Sequence, residues 1–380
     1  MRRRSKVSGK DSRAHDRTIG RARRRKQHRA VVASMALVGG ALGCGPASDG
    51  PTTPEEAARI VPALEAVSFQ LVGAGKVAFE RIGVNGAVQA IYIIDGATAS
   101  SAHAFDNQVA DGPALSPDGR RFAYTTVTSL ATGYDVYVAN VDGTGVQQVT
   151  RFPWNEGAPT WTPDGTRIVV AAGGVGAAVY NIYSQSPVAN PGDQTQLTNF
   201  STTSGTCPAM TATGDLRVAT SPQGRMAFAC SFGEIDVSTN GTFAASYLPT
   251  RTDRRRWPNV FTPSWSPDGA RIAFIETTSD SATNYSLLGV AVKVMNADGS
   301  NVATLANVAT AAGSNAIAGS AWGGLNNISL CWMPDGSRLV FNVPESQVVG
   351  HLWVVRADGT GLAQLTTSPG VWDRSVSCSR

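Results

Sequence analysis

The tripeptide Pro-Asp-Gly recurs at 117–119, 163–165, 267–269 and 334–336, and Pro222-Gln223-Gly224 stands as a degenerate fifth copy. The central residues lie 46, 59, 45 and 67 positions apart, a period near 45 broken by insertions. A repeat of about 40–50 residues is the length of one four-stranded propeller blade. Such repeats bury their apolar faces mainly against one another, which leaves the chain few other ways to build a core.

Each copy has the same surroundings. A short strand precedes it, at 113–116, 159–162, 263–266 and 329–333. Proline fixes φ and glycine accepts φ > 0, so the tripeptide itself is a tight turn. An alternating run follows at 121–124, 167–170, 271–274 and 338–341, and a third strand leads to a second turn. Asp142-Gly143, Asn240-Gly241, Asp298-Gly299 and Asp358-Gly359 are two-residue hairpin signals. The fourth strand closes on Val149-Thr150, Leu197-Thr198, Leu305 or Leu365-Thr366. At the ends, 76–79 begins in the second-strand position, while 376–379 looks like a first strand with nothing after it. The spacing therefore predicts an all-β, six-bladed β-propeller whose C-terminal strand joins the first blade, removing an open sheet edge. A spare strand at 67–72 is the main complication.

Trp265-Ser266-Pro267-Asp268-Gly269 followed by Arg271-Ile272-Ala273-Phe274 resembles the repeat of TolB-type six-bladed propellers. The resemblance covers about 300 of the 380 residues. It implies a periplasmic or other envelope protein as partner. TolB proteins also carry an N-terminal α/β domain, for which 45–75 is too short, so the propeller half alone is resembled.

The basic charge is confined to the head. Residues 1–43 hold 13 Lys/Arg against two acids, and the remainder has 19 bases against 26 acids, a net of −7. An acidic body removes the support for a nucleic-acid partner. The head leads into an apolar run at 30–42 and then Gly43-Cys44. That is the outline of a secretory signal, too short to span a bilayer. Cys44 after small residues resembles a bacterial lipoprotein signal and makes it the expected lipidation site. The expected organisation is 1–43 signal peptide, 44–75 lipidated Cys and flexible tether, and 76–380 propeller, anchored in the cell envelope and facing the periplasm or exterior. Four further cysteines in an exported chain suggest two disulfides with three possible connectivities. Their placement in the repeat favours Cys207–Cys230 and Cys331–Cys378.

No catalytic motif is recognised, and no cofactor or metal ligand set is expected. His103 and His351 fall in different repeats without ligand spacing. Asp118, Asp164, Asp268 and Asp335 read as turn residues bonding their own backbone rather than as a carboxylate ring. Trp161, Trp265 and Trp332 read as packing between blades. The compact turns share one face of the disc, and the second–third and inter-blade loops share the other. That second face would present Trp154, Arg254, Arg255, Arg256, Trp257, Trp322, Trp372 and Arg374, residue types enriched at binding hot spots. The expectation is a non-enzymatic protein-binding module. The alternatives are a propeller hydrolase or lyase with an active site at the channel mouth, or a carbohydrate-binding module.

Overall fold

The computed structural model describes residues 75–83, 89–95, 98–104, 110–129, 133–151, 155–157, 159–173, 180–188, 193–200, 217–229, 234–239, 242–247, 256–280, 286–308, 328–345 and 349–379. The expected signal, Cys44, the tether and the strand at 67–72 lie outside them. Every regular element among the described residues is a β-strand.

In chain order the first strands are β1 (Lys76–Gly83), β2 (Gln89–Asp95) and β3 (Thr98–Ala104). A second group is β4 (Ala110–Leu115), β5 (Arg121–Ser129), β6 (Gly133–Asn140) and β7 (Gln147–Gln148). Next come β8 (Asn155–Glu156), β9 (Thr160–Trp161), β10 (Ile168–Gly173), β11 (Asn181–Gln185) and β12 (Thr195–Gln196). They are followed by β13 (Ala219–Thr220), β14 (Met226–Ala229), β15 (Ile235–Thr239) and β16 (Thr242–Tyr247). The chain continues through β17 (Arg256–Trp265), β18 (Arg271–Asp280), β19 (Ser286–Asn296) and β20 (Ala303–Val308). It ends with β21 (Leu330–Trp332), β22 (Arg338–Pro344), β23 (Gly350–Arg356), β24 (Ala363–Gln364) and β25 (Val371–Ser379).

The strands β4–β7, β13–β16 and β17–β20 each form a four-stranded antiparallel sheet, and β8–β12 form a five-stranded one in which β8 and β9 both pair with β10. The rest form one eight-stranded sheet, β21-β22-β23-β25-β1-β2-β3, with β24 on β23. Six separate sheets are expected from the repeat, and five are found. The reason is a single parallel pair, Gly350 opposite Trp372, which bridges the first repeat and the last. The two halves of that sheet still pack on each other: Val77, Phe79, Tyr92 and Ile94 share a cluster with Val340, Leu352 and Val354. Other clusters likewise draw on two successive sheets, as where Val136 and Val138 meet Trp161, Ile168 and Val170. As the fragment at the chain's end suggests, β25 runs antiparallel to β1, from Ser379 opposite Lys76 to Val371 opposite Gly83.

The repeat motif is explained by its turns. In Ser/Thr-Pro-Asp-Gly, the hydroxyls of Ser116, Thr162 and Ser266 donate to Oδ1 of Asp118, Asp164 and Asp268 at 2.5–2.6 Å. The same hydroxyls accept the backbone N–H of Arg121, Arg167 and Arg271. Gly119, Gly165, Gly269 and Gly336 then sit at φ of 64 to 69°, where a side chain is strained. The fourth-strand closers work across strands. Thr150, Thr198 and Thr366 accept the N–H of Val136, Ile182 and Leu352 through Oγ1. A buried hydroxyl there completes third-strand backbone bonding where the short fourth strand has run out.

Two expectations about loops are corrected. The innermost strands β4 and β17 begin upstream of the proline before the motif, Pro113 and Pro263. The strand β17 starts at Arg256 and β25 at Val371, so Arg256, Trp257, Trp372 and Arg374, expected on loops, lie in strands. Three innermost strands bend where the register shifts, between Asp111 and Ala114 in β4, between Phe261 and Ser264 in β17, and between Arg374 and Ser377 in β25 where it passes β1. Gly112, Thr262 and Ser375 take positive φ at these bends, the signature of a β-bulge. The second–third connections are also short, such as 130–132 and 345–349. The long connections are those between repeats, and they all enter the upstream end of an innermost strand.

Candidate functional site

The residues expected to form a contact face are distributed unevenly. Trp154, Arg254, Arg255 and Trp322 lie outside the described residues, as do Cys207 and Cys230. Arg256 and Trp257 open β17, paired with Asp280 and Ser279 of β18. Trp372 and Arg374 open β25, opposite Ile82 and Glu80 of β1. These four are therefore strand residues, upstream of the bulges, at the end where the long connections arrive. Arg374 is not a free cation: its Nε and Nη2 donate to the two carboxylate oxygens of buried Glu80 at 2.8 and 3.1 Å. Its guanidinium also lies 5.6 Å from the Trp372 ring centre.

Beside it is a second ion pair that the sequence reading missed. Arg81 Nε and Nη2 donate to Asp373 Oδ1 and Oδ2 at 2.6 and 2.7 Å, with side chains only 3% and 0% exposed. Arg81 Nη1 reaches Ser368 Oγ, and the cation lies 5.2 Å from the Tyr92 ring centre. The phenol of Tyr92 is pushed up by burial, with Arg81 pulling it down. Next to this pair, His351 is buried, with Nδ1 2.8 Å from Glu345 Oε1 and Nε2 3.0 Å from the Ser368 carbonyl. The available signal was the adjacent opposite charges Glu80-Arg81 and Asp373-Arg374, each pair set beside apolar residues in its strand.

Three more carboxylates are buried among the described residues, Asp135, Glu156 and Asp236. Glu156, on β8, accepts from the Val136 N–H and the Thr150 hydroxyl, yet burial holds its carboxyl well above the usual range. Asp236, on β15, has neither oxygen paired among the described residues. Burial, with help from the Glu234 charge, pushes its pKa up to about 6. The folded protein then holds a proton that the unfolded chain has released between about pH 4 and 6, so stability falls as pH rises through that window. Asp236→Asn should abolish that slope and raise stability at pH 7 by about 1–3 kcal/mol, measured by urea unfolding across pH.

At the opposite end of the innermost strands lies a cavity of about 480 Å³. Residues of six strands, β4, β9, β13, β17, β21 and β25, surround it, with prolines of the turns such as Pro117 and Pro163 at its rim. Neighbouring strands are tied together around it. Trp161 Nε1 donates to the Ala114 carbonyl and Thr220 Oγ1 to the Trp161 carbonyl. Gln223 and Arg225 reach the Asp268 and Gly269 carbonyls, and Trp332 Nε1 reaches that of Ser264. The Cys331–Cys378 disulfide and the Val376 N–H on Ser329 join β21 to β25, and the Leu115 N–H on Ser377 Oγ returns to β4.

The tryptophans are packing residues, as expected. Arg121, Arg225 and Arg271 each lay a guanidinium 4.5–4.9 Å from the ring centre of Trp161, Trp265 or Trp332 in the next repeat. The next repeat after Arg167 has no tryptophan, and Arg167 turns instead to Ser184 and Asp193. The turn aspartates are spent locally: Asp118, Asp164, Asp268 and Asp335 each accept a backbone N–H two residues on. The hydroxyl bonds of Ser116, Thr162 and Ser266 hold the first three below the usual carboxylate range.

No protein-family model matches the chain, and a search of curated proteins finds no relative. Solved structures do match in fold. Hydrazine synthase from Kuenenia stuttgartiensis aligns at 12% identity with a TM-score of 0.54, over 82% of this chain and 47% of that one. TolB from Acinetobacter baumannii aligns at 19% identity with a TM-score of 0.59, over 80% of this chain. The chain spans 66% of that TolB structure, just under two thirds of its length. At these identities the likeness is one of fold: the strands adopt a β-propeller arrangement similar to that of TolB.

Proposed function

We propose that the chain is a non-enzymatic envelope propeller, held by a lipid on Cys44, that binds a protein partner at the upstream end of its innermost strands. We read the strands as six blades closed into a ring by β25, the eight-stranded sheet being two blades that share one bridge. The contacts that run from β4 through β9, β13, β17 and β21 to β25 and back to β4 support that ring.

The observation that carries the binding reading is the asymmetry of the disc. Compact, self-bonded turns occupy one end, and every long inter-repeat connection enters at the other, where Arg256 and Trp257 open β17. Long connections on a rigid scaffold are where recognition residues concentrate, and Trp and Arg suit that use. The repeat's resemblance to TolB adds an envelope protein as the class of partner. Capture from solubilised envelope with the immobilised chain tests this. Replacing Arg254, Arg255 and Arg256 by Ala should cut capture about tenfold or more with little change in melting temperature, since surface changes usually cost about 0.5 kcal/mol or less. Asp298→Asn, in a compact turn at the other end, should leave capture intact. Normal capture by the arginine variant with loss in the control would reverse the assignment of the two ends.

A further inference from the structure

Five of the repeats set the proline of their turn on the lining of the cavity: Pro117, Pro163, Pro222, Pro267 and Pro334. The first repeat has no such turn. There β25 ends at Ser379 opposite Lys76, the first residue of β1, so the segment leading into β1 arrives where the missing turn would stand. Gly75 lies against this part of the rim. Its φ is 136°, and a Cβ there would come within 2.7 Å of the Ser379 carbonyl and 3.1 Å of Pro334 Cδ, two of the residues lining the cavity.

The segment that reaches Gly75 is the strand expected at 67–72, Val67-Ser68-Phe69-Gln70-Leu71-Val72, followed by Gly73-Ala74. No charged residue lies between Glu65 and Lys76. Val67, Phe69 and Leu71 alternate with Ser68 and Gln70, the pattern of a strand with one face buried. Phe69 stands six residues before Gly75, a span of up to about 20 Å, so it can reach the cavity from the rim. The cavity suits an uncharged occupant. Among its described lining residues Arg217 alone is charged, and that guanidinium is bonded to the Val376 carbonyl. The carbonyls of Ala114, Trp161 and Ser264 on the innermost strands are likewise taken by neighbouring repeats. Side-chain packing is therefore favoured over strand addition as the mode of contact.

We propose that residues 67–72 of this same chain close the cavity at the compact-turn end, with Val67, Phe69 and Leu71 packed on its wall. The contact is intramolecular and independent of the partner-binding reading, which concerns the other end of the strands.

The test places a photoreactive side chain in the full chain as Phe69→benzoyl-phenylalanine, and separately as Gln70→benzoyl-phenylalanine on the opposite face of the strand. Irradiation should cross-link position 69 within the molecule to wall peptides such as 114–117, 217–222 or 330–334, with much lower yield from position 70. Adding Val67→Asp and Leu71→Asp to the first variant should abolish those cross-links, because a carboxylate against uncharged walls loses its hydration without compensation. Cross-links to other surfaces, cross-linked dimers, no cross-link at all, or equal yields from the two positions would each overturn the proposal. So would a cross-link that survives the two aspartates. Should the aspartate variant fail to fold, the comparison of positions 69 and 70 decides the matter by itself.

Discussion

Asp373→Ala should lower the free energy of unfolding by about 3–5 kcal/mol, read from urea denaturation at neutral pH. The change leaves the Arg81 guanidinium, 3% exposed, without its carboxylate partner in the seam between β1 and β25. The Ser368 hydroxyl and the faces of Phe79 and Tyr92 remain but do not replace a bidentate carboxylate. The double variant Arg81→Met, Asp373→Leu should recover most of the loss, because neither charge is then buried alone. A double variant as unstable as the single one would assign the loss to strand packing instead.

The two ion pairs also explain why β25 docks in one register. Glu80 faces Arg374 and Arg81 faces Asp373. Slipping β25 by one residue in either direction sets Glu80 against Asp373 or Arg81 against Arg374. Like charges buried side by side are strongly unfavourable, so the seam rejects the slipped pairings that an all-apolar strand would tolerate. Alternate residues point to opposite faces of a strand, so one pair guards each face of the sheet.

Reducing the Cys331–Cys378 disulfide should cost about 4 kcal/mol, the chain-entropy value for a closed loop of the 47-residue separation observed. The bond ties the innermost strand β21 to the C-terminal strand, so its loss releases an end that is otherwise held by β1 and by Val376 on Ser329. Cys331→Ser should reproduce the loss, and adding Cys378→Ser should add little, since the two residues act through one bond. A melting temperature insensitive to reductant, with both thiols protected from alkylation beforehand, would show that β1 pairing alone holds the terminal strand.

Where the chemistry was local, the sequence was legible. The hydroxyl before each Pro-Asp-Gly, the aspartate within it and the glycine after it form a self-contained hydrogen-bonded turn. The threonines ending the fourth strands were visible as a recurring closer, though their role in capping third-strand amides appeared only in three dimensions. The bulges were not legible, because Gly112, Thr262 and Ser375, which take positive φ at them, share no residue type. Pairing continues upstream of the bulges in β17 and β25, so Arg256, Trp257, Trp372 and Arg374, expected in loops, lie in strands.

The sequence by itself determined the repeat, its four-strand anatomy and the pairing of the last strand with the first, because turn geometry and alternation act over a few residues. Only the tertiary structure decided what those strands meet. Arg81 finds Asp373 292 positions away, Arg217 finds the Val376 carbonyl across 159, and one bridge between Gly350 and Trp372 merges two repeats into a single sheet. The physical reason is that a buried charge is satisfied by whichever partner the packing brings within about 3 Å, and no spacing along the chain encodes that distance.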